Sequence, residues 1–183
     1  MKQSNPIGIP SGSYGAGNKI MKQGFTLMEA IVAIFLLTVG IVGVLSLVTQ
    51  TISSATFSKD KLIAAYLAQE GVEIVRNIRD TNWLQEWSWN NGLTAGNEYQ
   101  ADYNDQNLFG FTGHPLNLET ATGYYGYDDP GNATKFTRKI TISEPATASC
   151  PAGGCLNIKV EVFWEEKGKL YNVPVQENLY NWY

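Results

Sequence analysis

The sequence predicts an α+β fold: one long N-terminal α-helix with an apolar first half, and a C-terminal antiparallel β-sheet packed on the helix's second half. Three observations predict it. The run from Phe25 to Val48 holds 24 residues and a single charge, Glu29. No proline occurs between Phe25 and Asp80, so nothing in that stretch forces a helix to break. From Phe136 onward, apolar and polar residues alternate with the period of a half-buried strand.

The chain divides into a leader (1–24), an apolar helix (25–48), its amphipathic continuation (49–82), a loop-rich region (83–135) and a sheet (136–183). The leader contains Lys2, Lys19 and Lys22 and no acid; Ser11 to Asn18 is Gly/Ser-rich. Met21 is an alternative start, giving the short leader Met21-Lys22-Gln23-Gly24. Beyond the leader, 10 basic and 17 acidic side chains give a formal charge of −7. That balance argues against nucleic acid as a partner, because such binding uses Lys and Arg to displace counterions.

As a helix, residues 25–48 extend about 36 Å, enough to cross a hydrocarbon core of about 30 Å once. A secretory signal has its small-residue cleavage site after a shorter apolar core. Here Gly24 precedes the run. Lys19 and Lys22 flank its start and the next basic residue is Lys59. The positive-inside bias therefore puts the N-terminus in the cytoplasm and the C-terminal body outside.

The order Gly24, Phe25, Thr26-Leu27, Met28, Glu29 and then an apolar helix resembles the N-terminus of the type IV pilin and pseudopilin superfamily. Val39 to Gly43, and Leu67-Ala68-Gln69-Glu70 with Val75-Arg76, resemble minor-pilin and pseudopilin-like members. The resemblance implies a pilin-like fold and a structural, non-enzymatic role without a cofactor. It implies that a prepilin peptidase cuts Gly24–Phe25 and methylates the new amine of Phe25. It also implies an inner-membrane assembly platform with its ATPase, extraction from the cytoplasmic membrane, and packing with other pilin subunits in an extracellular filament.

Glu29 is costly in lipid and marks a functional site by default. It is the fifth residue after the expected cut, about 6 Å along the helix from the new terminus. In a bundle of such helices an ionised Glu29 needs a cation, and none lies within the run. The Phe25 α-amine of an axially staggered neighbour supplies one. The competing reading is a tolerated interfacial glutamate on a plain anchor. Gly40 and Gly43 weaken the helix by about 1 kcal/mol each relative to Ala, which suggests local loosening there on assembly.

Beyond Val48, the residues Ala64, Leu67, Ala68, Gly71, Val75 and Ile78 form one apolar stripe. Gln69, Glu70, Glu73, Arg76 and Asn77 take the other faces, with Glu73 and Arg76 spaced to pair. Apart from Glu29, no carboxylate stands out from a solvated charge. Trp83, Trp87, Trp89, Tyr124, Tyr125 and Tyr127 are aromatic platforms for sugars or partners, or, as favoured here, large rings that build a core short of aliphatics. Asp102 to Gln106 and Asp128-Asp129 offer calcium-type oxygens, but no Gly stands at the sixth place and no Glu at the twelfth, so no metal is expected. Asn132-Ala133-Thr134 is a glycosylation sequon.

In the sheet, Phe136, Arg138, Ile140 and Ile142 share one face, as do Leu156, Ile158, Val160, Val162 and Trp164. Glu165 to Lys169 reads as a hairpin turn, and Leu170 to Val175 returns. Pro174 restricts that strand to an edge or a strand end. The expectation is a three-stranded antiparallel meander. Cys150 and Cys155 enclose Pro-Ala-Gly-Gly at its second strand, a closable loop read as a disulfide in an oxidising compartment, with free thiols or a metal as alternatives. Two other functions stay open: a secretion-system pseudopilin, and a single-pass anchored binding or enzymatic domain. Neither a Gly-x-Ser-x-Gly nor a phosphate loop is present, and the sole histidine is His114.

Overall fold

The computed structural model describes residues 24–127, 132–145 and 154–182. Helix α1 runs without interruption from Leu27 to Leu84, a length of about 87 Å. Seven strands follow: β1 (Asn97–Gln100), β2 (Phe109–Gly110), β3 (Asn117–Leu118), β4 (Tyr125–Gly126), β5 (Thr137–Ser143), β6 (Cys155–Glu166) and β7 (Lys169–Tyr180). They form a five-stranded sheet in the order β2-β1-β5-β6-β7 and a separate β3-β4 ribbon. Every pairing is antiparallel. The fold is α+β, with the sheet packed on α1.

The chain separates into two compact units at Val48–Thr49. In the first, every residue from Gly24 to Val48 is exposed. That stretch carries sixteen large exposed apolar side chains, Phe25 to Val48, on all sides of the helix. A water-soluble monomer rarely shows an apolar patch of more than a few hundred Å². This segment is long and apolar enough to cross a membrane. The helix continues through Gly40 and Gly43, where an added Cβ would meet nothing within 4 Å.

In the second unit the expected stripe is buried: Ala64, Leu67, Ala68, Gly71, Val75 and Ile78 all face the core. Val72, Ile74, Arg79 and Asn82 join them, so the buried face is broader than the stripe. Gly71 sets the approach of helix to sheet. A Cβ there would come within 2.8 Å of Val160 Cγ1, a distance that real side chains do not tolerate. Phe57 of α1 packs edge-on against Tyr171 of β7 at 4.9 Å, and Tyr171 stacks on Trp164 of β6 at 5.6 Å. The strand phase is as expected, with Phe136, Arg138, Ile140 and Ile142 buried opposite the buried face of β6.

The expected three-stranded meander is β5-β6-β7, and it is only the core of a larger sheet. β1 and β2 extend it from within the region read as loop. β1 pairs with β5 through Asn97↔Ile142 and Tyr99↔Ile140. Its sequence Asn-Glu-Tyr-Gln has no apolar alternation, so backbone pairing rather than side-chain pattern makes it a strand. β7 also runs five residues past Val175, to Tyr180. With β2 it is one of the sheet's two edge strands, a position that tolerates Pro174. The hairpin narrows to Lys167 (φ 53°) and Gly168 (φ 74°) between the Glu166–Lys169 pair. Two consecutive positive φ values give the twist that joins antiparallel strands tightly.

Candidate functional site

The expected processing and assembly site is local to the start of α1. Gly24, Phe25 and Thr26 precede the helix and are exposed, as is Glu29 in its first turn. Thr26 is the N-cap. Its carbonyl accepts the first helical bond from the Ala30 N–H at 3.1 Å, and its Oγ1 accepts from the Glu29 N–H at 3.3 Å. Thr-x-x-Glu is the spacing of a capping box, a helix-start signal carried by the sequence itself. Glu29 stands in the first turn, where the helix dipole favours an anion. The sequence holds no Lys or Arg between Lys22 and Lys59 that could pair with it from the same apolar run.

Cys155 is buried at the first position of β6, opposite Tyr180 of β7. Cys150 lies outside the described residues, as do Asp128, Asp129 and the leader through Gln23. The pairing of the two cysteines thus remains an expectation.

Two carboxylates depart from the solvated charge expected of them. Asp60, on α1, is buried and pairs with Lys135. Asp102 is buried and organises a loop: its Oδ1 accepts from the Tyr103 N–H at 2.7 Å and its Oδ2 from the Tyr127 N–H at 3.0 Å. Asp105 in turn accepts from the Asp102 N–H at 2.6 Å. Backbone donors, the partners of a turn, thus occupy the oxygens first considered for calcium. Gly126 lies so close that a Cβ there would fall 2.5 Å from Asp102 Oδ2. Among the described residues, no three His, Cys, Asp or Glu side chains gather as a metal site.

Arg138 is wholly buried on β5. Its Nη1 donates to Glu70 Oε1 at 2.9 Å and to the Leu67 carbonyl at 3.2 Å; its Nη2 donates to the Ala101 carbonyl at 2.6 Å. Glu70 is therefore tied to the sheet at the margin of the buried face, its side chain still about a third exposed (35%). Arg76 pairs with Glu73, as the spacing predicted, and also donates to Glu177 of β7 at 2.6 Å. The hydrogen bond to Glu177 holds the Arg76 guanidinium above its ordinary pKa. Burial raises the Tyr127 phenol, with Asp102 and Asp105 adding to the shift and Arg138 opposing it.

The aromatic residues divide between the two uses considered for them. Trp89 is buried, and Tyr125 and Tyr127 pack against the core. Trp87 and Tyr124 are exposed. Core formation accounts for the first group and not for the second.

Comparison with protein-family models, curated proteins and solved structures gave no match to this chain.

Proposed function

We propose that the chain is a structural subunit of a type IV pilus-like filament, inserted in the cytoplasmic membrane as a precursor, cut after Gly24 and assembled through residues 25–48. The observation that carries this reading is α1. It starts on a capped turn immediately after Gly24-Phe25 and is apolar on every side through Val48. The same helix then buries a single face under the sheet. Lipid is one environment that satisfies the first half, and a bundle of like helices is another. A segment that must occupy both in turn has to be apolar all round.

In the bundle, Glu29 pairs with the α-amine of Phe25 on a neighbouring copy. That amine exists only after cleavage, with a reference pKa near 7.7–8.0. Removing one partner of a buried pair costs about 3–5 kcal/mol, because a charge is left alone. The pair thus fixes axial register and makes assembly conditional on processing. The partners are the prepilin peptidase, the assembly platform with its ATPase, and other pilin subunits. The head lies outside the cytoplasm, where Cys150 and Cys155 can close their loop as a disulfide.

Intact-mass and N-terminal analysis of the mature protein tests this. The expected product begins at Phe25 and carries one methyl group. An anchored protein that keeps its leader would overturn the reading and favour a plain membrane-tethered domain. Electron microscopy of sheared surface material then separates a pilus from a short secretion pseudopilus.

A further inference from the structure

The C-terminal end of α1 ends in a rigid turn. Glu86 has φ 58°, in the left-handed region, and its N–H donates to the Trp83 carbonyl at 3.0 Å. The next N–H, from Trp87, donates to the Asn82 carbonyl at 2.9 Å. This pair of bonds is a Schellman motif, whose left-handed position usually belongs to Gly. Buried Asn82 adds a clamp: its Nδ2 donates to the carbonyls of Trp89 at 3.1 Å and Asn91 at 2.8 Å. With Trp89 sunk in the core, Trp87 two residues earlier faces out. Trp87 stays 57% exposed and Trp182, from the chain's other end, 70% exposed.

Between these indoles opens a cleft of about 960 Å³, lined also by Asp80, Trp83, Glu86 and Asn181. Trp182 packs directly on Trp83, ring centres 5.6 Å apart, and Arg79 covers both rings from one side, its guanidinium carbon 4.8 Å from one ring centre and 4.9 Å from the other. Its Nε and Nη2 both reach Asp80 Oδ1, at 2.8 and 2.7 Å. Trp182 is thus held against Trp83 and Arg79, and Asp80 Oδ2 is left for another donor.

We propose that this cleft binds a neutral oligosaccharide, with pyranose C–H faces on Trp87 and Trp182 and hydroxyls donating to Asp80 and Glu86. A pyranose ring presents apolar C–H groups on its faces and hydroxyls around its rim. An indole face is electron-rich and attracts such C–H groups. Carboxylates and an amide at the border accept and donate to the hydroxyls, the usual division of labour in a ligand site. The two acids disfavour anionic sugars and phosphates. A cationic peptide fits less well, since Arg79 already holds the cation position on Trp83 and Trp182, and a second cation across the same ring meets its repulsion. Glu86 fits the same reading. A non-Gly residue in a left-handed position carries backbone strain, and such residues cluster at functional sites.

Calorimetric titration of the full chain in sugar-free detergent micelles tests the proposal, with cellotetraose, chitotetraose, trigalacturonate and hexalysine as probes. A neutral tetrasaccharide should bind saturably. Affinity should fall at least tenfold in Trp87→Ala and Trp182→Ala, and stay unchanged in Phe109→Ala, an exposed aromatic on β2. Trp87 is exposed, so its variant should melt with the parent, and the loss is then read on an intact head. Glu86→Gly should raise the melting temperature while weakening binding, a divergence that a purely structural role would not produce. Tighter binding of hexalysine or trigalacturonate, no saturable binding of either tetrasaccharide, or full affinity in both Trp variants would each overturn the proposal. Neither processing nor assembly enters this measurement, so the filament reading and this one fail separately.

Discussion

Arg138 on β5 is wholly buried and donates at 2.9 Å to Glu70 on α1, joining helix and sheet through a charged pair that spans from the core to its margin. Its Nε finds no hydrogen-bond partner, so the pair is not fully compensated. Arg138→Ala should cost about 3–5 kcal/mol, from the broken pair and the cavity. Arg138→Met should cost only about 1–2 kcal/mol, since it fills the stem's volume and leaves Glu70, about a third exposed, to water. Glu70→Ala, which strands the guanidinium, should cost more than Arg138→Met. Urea unfolding of the three variants in one micelle system checks the order.

Much of this architecture was readable because the hydrophobic pattern dictates it. The apolar run, the proline-free helix, the stripe from Ala64 to Ile78 and the alternation of β5 and β6 each put side chains on a face that the structure buries or exposes as expected. β1 escaped because Asn97 to Gln100 carries no such pattern and is ordered by pairing with Ile140 and Ile142. The burial of Asp60 and Asp102 escaped for a related reason. A carboxylate's partners, Lys135 and the Tyr127 N–H, lie 75 and 25 residues away. Trp87 and Trp89, two residues apart, could not be told inside from outside until the helix end had fixed their turn. The cap at Thr26 was legible in its spacing to Glu29.

Gly71 marks where packing outweighs helix propensity. Ala is better than Gly inside a helix by about 1 kcal/mol, yet its Cβ would sit 2.8 Å from Val160 Cγ1 and 3.1 Å from Arg138 Cδ. Overpacking of this kind typically costs about 1–3 kcal/mol. Gly71→Ala should therefore destabilise, and Val160→Ala should relieve part of that cost. A double-mutant cycle should return a favourable coupling of about 1 kcal/mol, within the range seen for touching residues. Simple additivity would show that the helix shifts freely instead.

Tyr127 gives the head an alkaline weakness. In the unfolded chain its phenol releases a proton near pH 10, while burial raises the folded value above that. Between the two values the unfolded state loses more protons, so the contribution is intact below about pH 10 and is lost as pH rises through the folded pKa. Tyr125 is raised by burial in the same direction. Tyr127→Phe should flatten the decline in urea midpoint between pH 9 and pH 11 relative to the parent. Equal slopes in the two proteins would assign the decline to other groups.

Thr26 and Glu29 separate the cap from the charge. Thr26→Val removes the Oγ1 that accepts from the Glu29 N–H at 3.3 Å, at a cost of about 1 kcal/mol to the helix start. Thr26→Ser keeps it. Neither touches the carboxylate, so both variants should be cut after Gly24 and enter filaments, with Thr26→Val at somewhat lower yield. Glu29→Ala keeps the Glu29–Thr26 backbone bond but loses the anion. On the proposed filament reading it should be processed normally and fail to enter filaments, because the pairing proposed with the neighbouring Phe25 amine would lose its counter-charge. Glu29→Gln should fail likewise, since it retains shape but not charge. Immunoblots of processed protein beside sheared filament fractions read both steps. Normal filament yield in Glu29→Gln would remove the pairing role from Glu29 and leave subunit register to the apolar helix surface alone.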